Sequence, residues 1–568
     1  LKKEDKNFSN QRIFLNFEKI LNTAKPHEAL TMKYFLILFI LIGTIANSSS
    51  QNTYMLTEEL RGVWLGTAFN NDWPLQAGLS TDEQKRQLQN YFTQFKKLSI
   101  NAVFFQVRPM GDALYPSKTE PWSRYLSGIS GVAPHPFYDP LAFAIDLAEQ
   151  ENMELHAWFN PFRALMQNRW DNTDFFRTKY KVFLQHPDWF IDYGNRKYFN
   201  PGIPEVREYV ISVIMEVVRN YPQIAGVHFD DYFYPYPQKE EPAFNDIKTY
   251  YKYRQNDQNI KDWRRHNINE FIRQLHDSIQ TYNPKLKLGV APPAVWRNKG
   301  YDNRGSNTLG LSAYDDLFAD TRKWLAEGWI DYMVPQMYAE IGNKHGDFKA
   351  LADWWNNNHF NKHIYAGIAL YRLDPKSPYN AWRTTEQIKN QLNIVRQNPA
   401  FRGEVYFSAK NLLENTLSVN NMLSSQFYQL PAQVPSMWWK ESQLVLLDST
   451  AYLVDEQGNE TNVKSKPEWI SLAGVTDLHL EKKRKEVFLF WNWAANANCR
   501  QQVVFEIYKF EKGELLIPDE EHLIATSLNS EIALDIKNHL FKRKYTYLVK
   551  VKCGVFQSQE SEPITIRY

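Results

Sequence analysis

From Gly62 onward, short apolar runs alternate with longer stretches in which apolar residues return every three or four positions. The short runs suit buried strands and the longer period suits amphipathic helices, so the alternation predicts parallel βαβ units. Eight strands are expected: Gly62 to Thr67, Ala102 to Val107, Glu154 to Phe159, Gly226 to Asp230, Lys287 to Ala291, Tyr332 to Met337, Ile364 to Ala369 and Glu404 to Phe407. Their broadly regular spacing, with room for a helix after each, favours a closed (β/α)8 TIM barrel over an open doubly wound sheet.

The helical stretches carry their own start signals. Ser80 followed by Glu83 forms a capping-box pattern ahead of Leu88, Phe92 and Phe95 on one face. Pro204 and Glu205 open a helix whose apolar stripe is Val210, Ile214, Val217 and Val218. Asp315 to Ala326 and Thr385 to Val395 repeat the pattern. The barrel is expected over residues 58–427.

Pro431 and Pro435 then mark a connector, residues 428–437. Beyond it, Val487 to Trp493, Val503 to Phe510 and Tyr545 to Val551 alternate apolar and polar positions with no long helix between them. Residues 438–568 therefore read as an all-β sandwich of the immunoglobulin or fibronectin III type. Trp491 and the Tyr545/Tyr547 pair are similar to features of a fibronectin type III module, to which no catalysis is assigned.

In a (β/α)8 barrel, chemistry belongs at the C-terminal ends of the strands and the loops beyond them. The fourth strand is the most informative, because His228-Phe229-Asp230-Asp231-Tyr232-Phe233-Tyr234-Pro235 sets two acids among aromatic rings. Such acids are costly to bury unless used or well hydrogen-bonded. Side chains alternate faces along a strand, so His228 and Asp230 share one side and Asp230 is the candidate catalytic carboxylate, as nucleophile or base. Asp231 either binds a sugar hydroxyl or supports its neighbour, and the bland alternative is that both acids cap the next loop.

The sixth strand ends in Gln336-Met337-Tyr338-Ala339-Glu340. Glycosidic hydrolysis commonly uses two carboxyl groups, and Glu340 is the expected second one, as general acid; otherwise it is an exposed loop acid. The second and third strand ends bring Arg108, Asp112, Asn160 and Arg163 to the rim, as sugar-positioning groups or as structural ion pairs. Trp64, Tyr232, Trp296, Tyr338 and Tyr371 stand at or just past strand ends, where rings suit stacking on a sugar face as well as core packing. Asp230, Glu340 and Asp231 are thus the catalytic candidates, and Gln336 and His228 complete the substrate-binding set.

Other chemistries lack their patterns. No glycine-rich loop follows a strand, no G-x-S-x-G elbow occurs, and the histidines show no H-E-x-x-H spacing. Neither a metal nor a cofactor is expected. With 66 basic and 64 acidic residues the net charge is +2, so nucleic acid is not an expected partner.

Arg61-Gly62-Val63-Trp64, Gln106-Val107-Arg108-Pro109, Ala157-Trp158-Phe159-Asn160-Pro161, the strand-four run, Tyr314-Asp315-Asp316-Leu317 and Asp331-Tyr332-Met333-Val334-Pro335-Gln336-Met337-Tyr338 occur in that order. Together they resemble the motifs of the glycosyl-hydrolase-like 10 family over roughly Glu58 to Leu412. The resemblance implies a bacterial envelope protein with a TIM-type glycosidase barrel. It implies a substrate of peptidoglycan glycan strands, above all those stripped of peptide stems, and carries functional roles to Asp230, Asp231 and Glu340. An endo-acting, retaining glycoside hydrolase is the expected activity. The rival readings are a carbohydrate-binding barrel without turnover and an envelope scaffold that binds proteins.

The aromatic share of 15% fits a glycan partner or a large core. Near the start, Met32 and Lys33 precede the apolar run Phe35 to Ile42, followed by Thr44, Ala46 and polar residues to Gln51. This resembles a signal peptide over residues 32–50, with residues 1–31 expected to be upstream of the true start. The run is too short to span a bilayer, and no cysteine follows it to carry a lipid. A periplasmic or secreted protein is expected, in which Cys499 and Cys553 are either bonded or buried thiols.

Overall fold

A computed structural model describes residues 57–165, 180–238, 243–255 and 257–440, together with 452–454, 460–462, 474–483, 486–493, 503–519, 521–534, 544–553, 556–558 and 560–567. The expectations for the signal-like segment, and for Cys499, lie outside the described residues.

Eight parallel strands close into a barrel in sequential order. They are β1 (Leu60–Leu65), β2 (Ala102–Arg108), β3 (Glu154–Phe159), β4 (Gly226–Phe229), β5 (Lys287–Val290), β6 (Tyr332–Met333), β7 (His363–Ala369) and β8 (Phe401–Phe407). Each expected strand is present. The largest difference is at β6, where regular pairing stops at Met333, and Pro335 cannot donate to a ladder. Gln336 nevertheless bridges to Pro293 and Gly367 on either side, so the wall continues irregularly to the rim.

Around the barrel run α1 (Thr81–Lys97), α2 (Pro140–Gln150), α3 (Pro204–Asn220), α4 (Ile260–Tyr282), α5 (Thr321–Ala326), α6 (Phe348–Asn356), α7 (Glu386–Gln397) and α8 (Ala409–Glu414). Half of the expected capping box forms at α1. The Ser80 hydroxyl accepts from the Glu83 N–H, while the Glu83 carboxylate turns to Arg86 and Gln87 instead of reaching back. The stretch Asp315 to Ala326 is two short helices, Ala313–Asp316 and α5, because Asp320 caps a fresh start by accepting from the Lys323 N–H.

Strand alternation sorts the core into two layers. Val63, Leu65, Val103, Phe105, Leu155 and Phe159 pack outward against the helices. Leu60, Trp64, Phe104, Trp158, Tyr332, Tyr365 and Val405 fill the barrel interior.

The expected connector has defined contacts on the barrel's N-terminal end. Ala432–Gln433 pairs in parallel with Thr57–Glu58, Arg61 donates to the Leu430 carbonyl, and Lys440 pairs with Asp331 at 2.9 Å. Val434 and Met437 join the interior cluster, so this segment closes the end of the barrel remote from the strands' C-termini.

The C-terminal part comprises a three-stranded antiparallel sheet (Thr476–Lys483, Glu486–Asn492, Glu531–Leu534) and a five-stranded one centred on Val503–Glu511 and Lys544–Cys553. Trp491, Phe505, Tyr545 and Tyr547 share their core, and Cys553 is disulfide-bonded.

Candidate active site

A cavity of about 580 Å³ opens at the C-terminal ends of the strands. Trp64, Trp158, Tyr232, Tyr236, Tyr338, Tyr371 and Phe407 supply its aromatic walls, and Gln106, Arg163, Arg196, Asp230 and Gln336 its polar groups. Asp230 is the one carboxylate in the described lining. It follows β4 with the same parity as His228, and so points inward as the strand alternation dictates.

Asp230 is 5% exposed and held from two sides. The Asn160 amide donates to its Oδ2 at 2.5 Å, and the Tyr232 backbone N–H approaches Oδ1 at 3.4 Å. Asn160 is itself fixed, since Gln106 Nε2 donates to its Oδ1 at 2.7 Å. The Gln106 oxygen in turn accepts from the backbone N–H groups of Thr67 and Ala68. A relay from the loop after β1, through β2 and the end of β3, thus orients the carboxylate with both amides' donor and acceptor ends assigned. The Trp158 indole N–H lies close enough to favour the charge on Asp230 but has no hydrogen-bond partner of good geometry among the described residues.

Asp231 is buried directly behind. Tyr236 donates its hydroxyl to Oδ2, while Oδ1 is unpartnered among the described residues. Burial pushes Asp230 up to about 6, against the opposing pull of the Arg163 charge and the Asn160 hydrogen bond. Burial and then the Asp230 charge push Asp231 up to about 7. Two adjacent buried carboxyls lose their protons stepwise, so between those values the pair holds one proton.

Below the cavity floor, a string of interior polar groups explains His228. Trp64 donates its indole N–H to His228 Nε2 at 3.0 Å. His228 Nδ1 meets the Tyr332 hydroxyl at 3.2 Å, which meets His156 Nδ1 at 2.9 Å; His156 Nε2 reaches Glu154, and Glu154 pairs with Lys287. An indole can only donate, so Nε2 of His228 is the acceptor and the remaining donors follow in one direction down to the Glu154 carboxylate. Burial holds both histidines below their ordinary range, which keeps them neutral. His228 therefore fixes the Trp64 ring and does not line the cavity.

Several expected site residues sit elsewhere. Arg108 is fully buried, bonding Glu120 at 2.7 Å and the carbonyls of Asn160 and Pro161, so it braces the β2 and β3 ends. Asp112 is buried beside the Met110 N–H, with its carboxyl pushed up to about 7 by burial. Trp296 packs on Trp354 and donates to Asp320. Glu340 is held by Asn343 at 2.9 Å and Arg372 at 3.6 Å, outside the cavity lining. Burial alone would raise the Glu340 carboxyl, but the Asn343 hydrogen bond and the Arg372 charge bring it below its ordinary value. A carboxyl so held is ionised at neutral pH, which does not suit the general-acid role expected for it.

The same cavity gathers groups that the motifs did not single out. Gln106 and Trp158 lie inside those motifs at inward-facing positions, two residues before Arg108 and Asn160, and parity along the strand is the signal that finds them. Arg196 belongs to the hairpin Phe190–Tyr193/Arg196–Phe199 in the segment between β3 and α3, and no local signal marks it.

The family model described as Glycosyl hydrolase-like 10 matches residues 59–383, which hold β1 to β7 and every named cavity residue except Phe407. The chain belongs to the glycosyl hydrolase-like 10 family. Glycosyl hydrolase YngK of Bacillus subtilis (strain 168) is 41% identical over 419 residues, covering 72% of this chain and 80% of that protein. Glycosyl hydrolase DigH of Escherichia coli (strain K12) is 36% identical over 375 residues, 62% of this chain and 84% of that one. Among solved structures, an endo-β-1,4-mannanase from Thermotoga petrophila matches 91% of this chain and 99% of its own at 11% identity and a TM-score of 0.37. This family member carries a glycoside hydrolase-type barrel.

Proposed function

We propose that the protein is an endo-acting, retaining glycoside hydrolase of the bacterial cell envelope that cuts peptidoglycan glycan strands, preferring those without peptide stems. The observation that carries the reading is Asp230, a buried carboxyl raised to about 6 that faces an aromatic-walled cavity at the strand ends with Asp231 buried directly behind it. Such a carboxyl can give a proton and take one back near neutral pH.

Asp230, protonated, donates to the departing glycosidic oxygen as the bond to the anomeric carbon breaks. Water then adds at that carbon and returns a proton to Asp230, so one bond is hydrolysed and the site is restored. Both transfers use one carboxyl on one face of the sugar, which fits retention of configuration. The opposite face is served by the 2-acetamido group of the substrate itself, as in substrate-assisted glycosidases. Trp64, Tyr338 and Phe407 stack on sugar faces, and the half-exposed rings of Phe69 and Tyr371 let the chain run on past the reacting unit.

Incubating the protein with stem-free glycan strands and reading released fragments by mass spectrometry tests this. Internal cleavage products with unchanged anomeric configuration are expected. No release from a strand that a control enzyme does cleave removes the hydrolase reading. A barrel that only binds glycan would retain the strand and leave it intact.

A further inference from the structure

Two guanidinium groups face the cavity, and neither makes an ion pair among the described residues. Arg163 is 7% exposed, lies 3.3 Å over the Tyr232 ring, and its Nε has no hydrogen-bond partner there. Arg196 is half-buried on the hairpin that overhangs the same space. The neighbouring arginines differ, since Arg108 is bound to Glu120 and Arg372 to Glu340. Against these two cations the described lining offers a single carboxylate. The cavity therefore carries excess positive charge in a partly enclosed space, which attracts an anion. A buried guanidinium with spare N–H groups fits a planar, two-oxygen partner best.

We infer that Arg163 and Arg196 form a subsite for a free carboxylate on the bound sugar, with Arg196 the specificity-determining residue. The inference rests on the hydrolase reading for its substrate and deepens it. On a glycan strand with its stems, the lactyl carboxyl of each muramic unit is tied up in an amide and carries no charge. Removal of the stem exposes a carboxylate, and the arginine pair converts that difference into selectivity. Arg163 lies nearer the reacting carboxylate, so Arg196 is the cleaner position to change.

The test separates binding from turnover by using the Asp230→Asn chain as the receptor. Three ligands are titrated: a stem-free glycan tetramer, the same tetramer with its carboxyls capped as methylamides, and an oligouronate whose carboxylate sits on the ring carbon chain. The free-acid tetramer is expected to bind about 10-fold tighter than the capped one, the size of a hydrogen bond to a charged group. In Asp230→Asn/Arg196→Met that ratio falls to about 2 or less, and Arg196→Lys leaves an intermediate ratio because the charge stays while the fork is lost. Equal affinity for free and capped tetramers, or a ratio unmoved by Arg196→Met, overturns the inference. Should the hairpin variant fold poorly, the same ratio in Asp230→Asn alone must shrink between low and high salt, and a salt-independent ratio counts against the subsite. Arg196-dependent binding of the oligouronate with indifference to the tetramer retains the carboxylate subsite and overturns the lactyl source. Failure of the unmodified chain to cleave, with the affinity ratio intact, removes the hydrolase reading and leaves the subsite standing.

Discussion

Asp230 is held in a state that costs stability. Its carboxyl is raised from 3.8 to about 6 by burial, so the unfolded chain releases its proton earlier than the native one as pH rises. With Asp231 raised in the same direction, stability contributed at the site falls as pH climbs from about 4 to about 7. Asp230→Asn is expected to stabilise the fold at neutral pH by about 1–3 kcal/mol, since a tenfold difference in proton affinity between native and unfolded chains corresponds to about 1.4 kcal/mol. Thermal unfolding at pH 7.5 reads this as a higher Tm, and a lower Tm would mean that the native charge is favourable. The general-acid role of Asp230 also predicts that kcat falls as pH rises through about 6, where that carboxyl loses its proton; a kcat that climbs through the same range would contradict the role. Glu340→Gln should change kcat less than about 3-fold, because its carboxylate is engaged by Asn343 and Arg372 away from the cavity. At this scale the sequence points to Asp230 through strand parity, which is a local rule. It does not place Glu340, because a position just past a strand says nothing about which way an irregular rim turns the side chain, and the structure turns it toward Asn343 and Arg372.

The strands tolerate a polar interior because two glycines make room for it. A Cβ on Gly289 of β5 would stand 2.0 Å from the Tyr332 ring, and one on Gly226 of β4 would stand 2.6 Å from His156 Nδ1. Gly289→Ala is expected to displace Tyr332, break the string from Trp64 to Glu154 and destabilise the barrel by about 1–3 kcal/mol, as overpacking does. Denaturant unfolding gives the value, and an unchanged midpoint would show that the interior yields without loss. Element positions are legible in the sequence because apolar runs whose residues alternate between the barrel interior and the helix layer leave little freedom of register. The short β6 and the broken Ala313–Ala326 stretch are less so. There Pro335 ends the ladder and Asp320 restarts a helix, and both are decided by single residues within a pattern that otherwise continues. The hairpin that carries Arg196 is not visible at all, since a cation is placed over a distant cavity only by the tertiary path of an insertion.

Across the molecule, chemistry and attachment occupy opposite ends of the barrel. The connector covers the N-terminal end, and the C-terminal sheets meet the turn before β3 through Asn152, whose amide bonds the backbone of Val503 in both directions and the Leu528 carbonyl. Replacing Asn152 with Ala removes all three hydrogen bonds, and a loss of about 1–3 kcal/mol is expected, confined to that contact. Protease cutting between barrel and sheets should become faster while kcat on a soluble glycan stays the same; a fall in kcat would show that the sheets reach the cavity after all. The barrel and the all-β tail are both readable from a change of period along the chain, from mixed strand and helix to strand alone. The docking between them is not, because the hydrogen bonds that the described residues show there come from an asparagine in a left-handed turn, which no change of period marks.

The most direct measurement compares unmodified protein and Asp230→Asn for cleavage of, and affinity for, the same stem-free glycan strand. Loss of at least about 1,000-fold in kcat with affinity changed by no more than a few-fold is expected of a group that acts only on the reacting bond. Cleavage that persists within about 10-fold of the unmodified rate would show that the reacting carboxyl lies elsewhere.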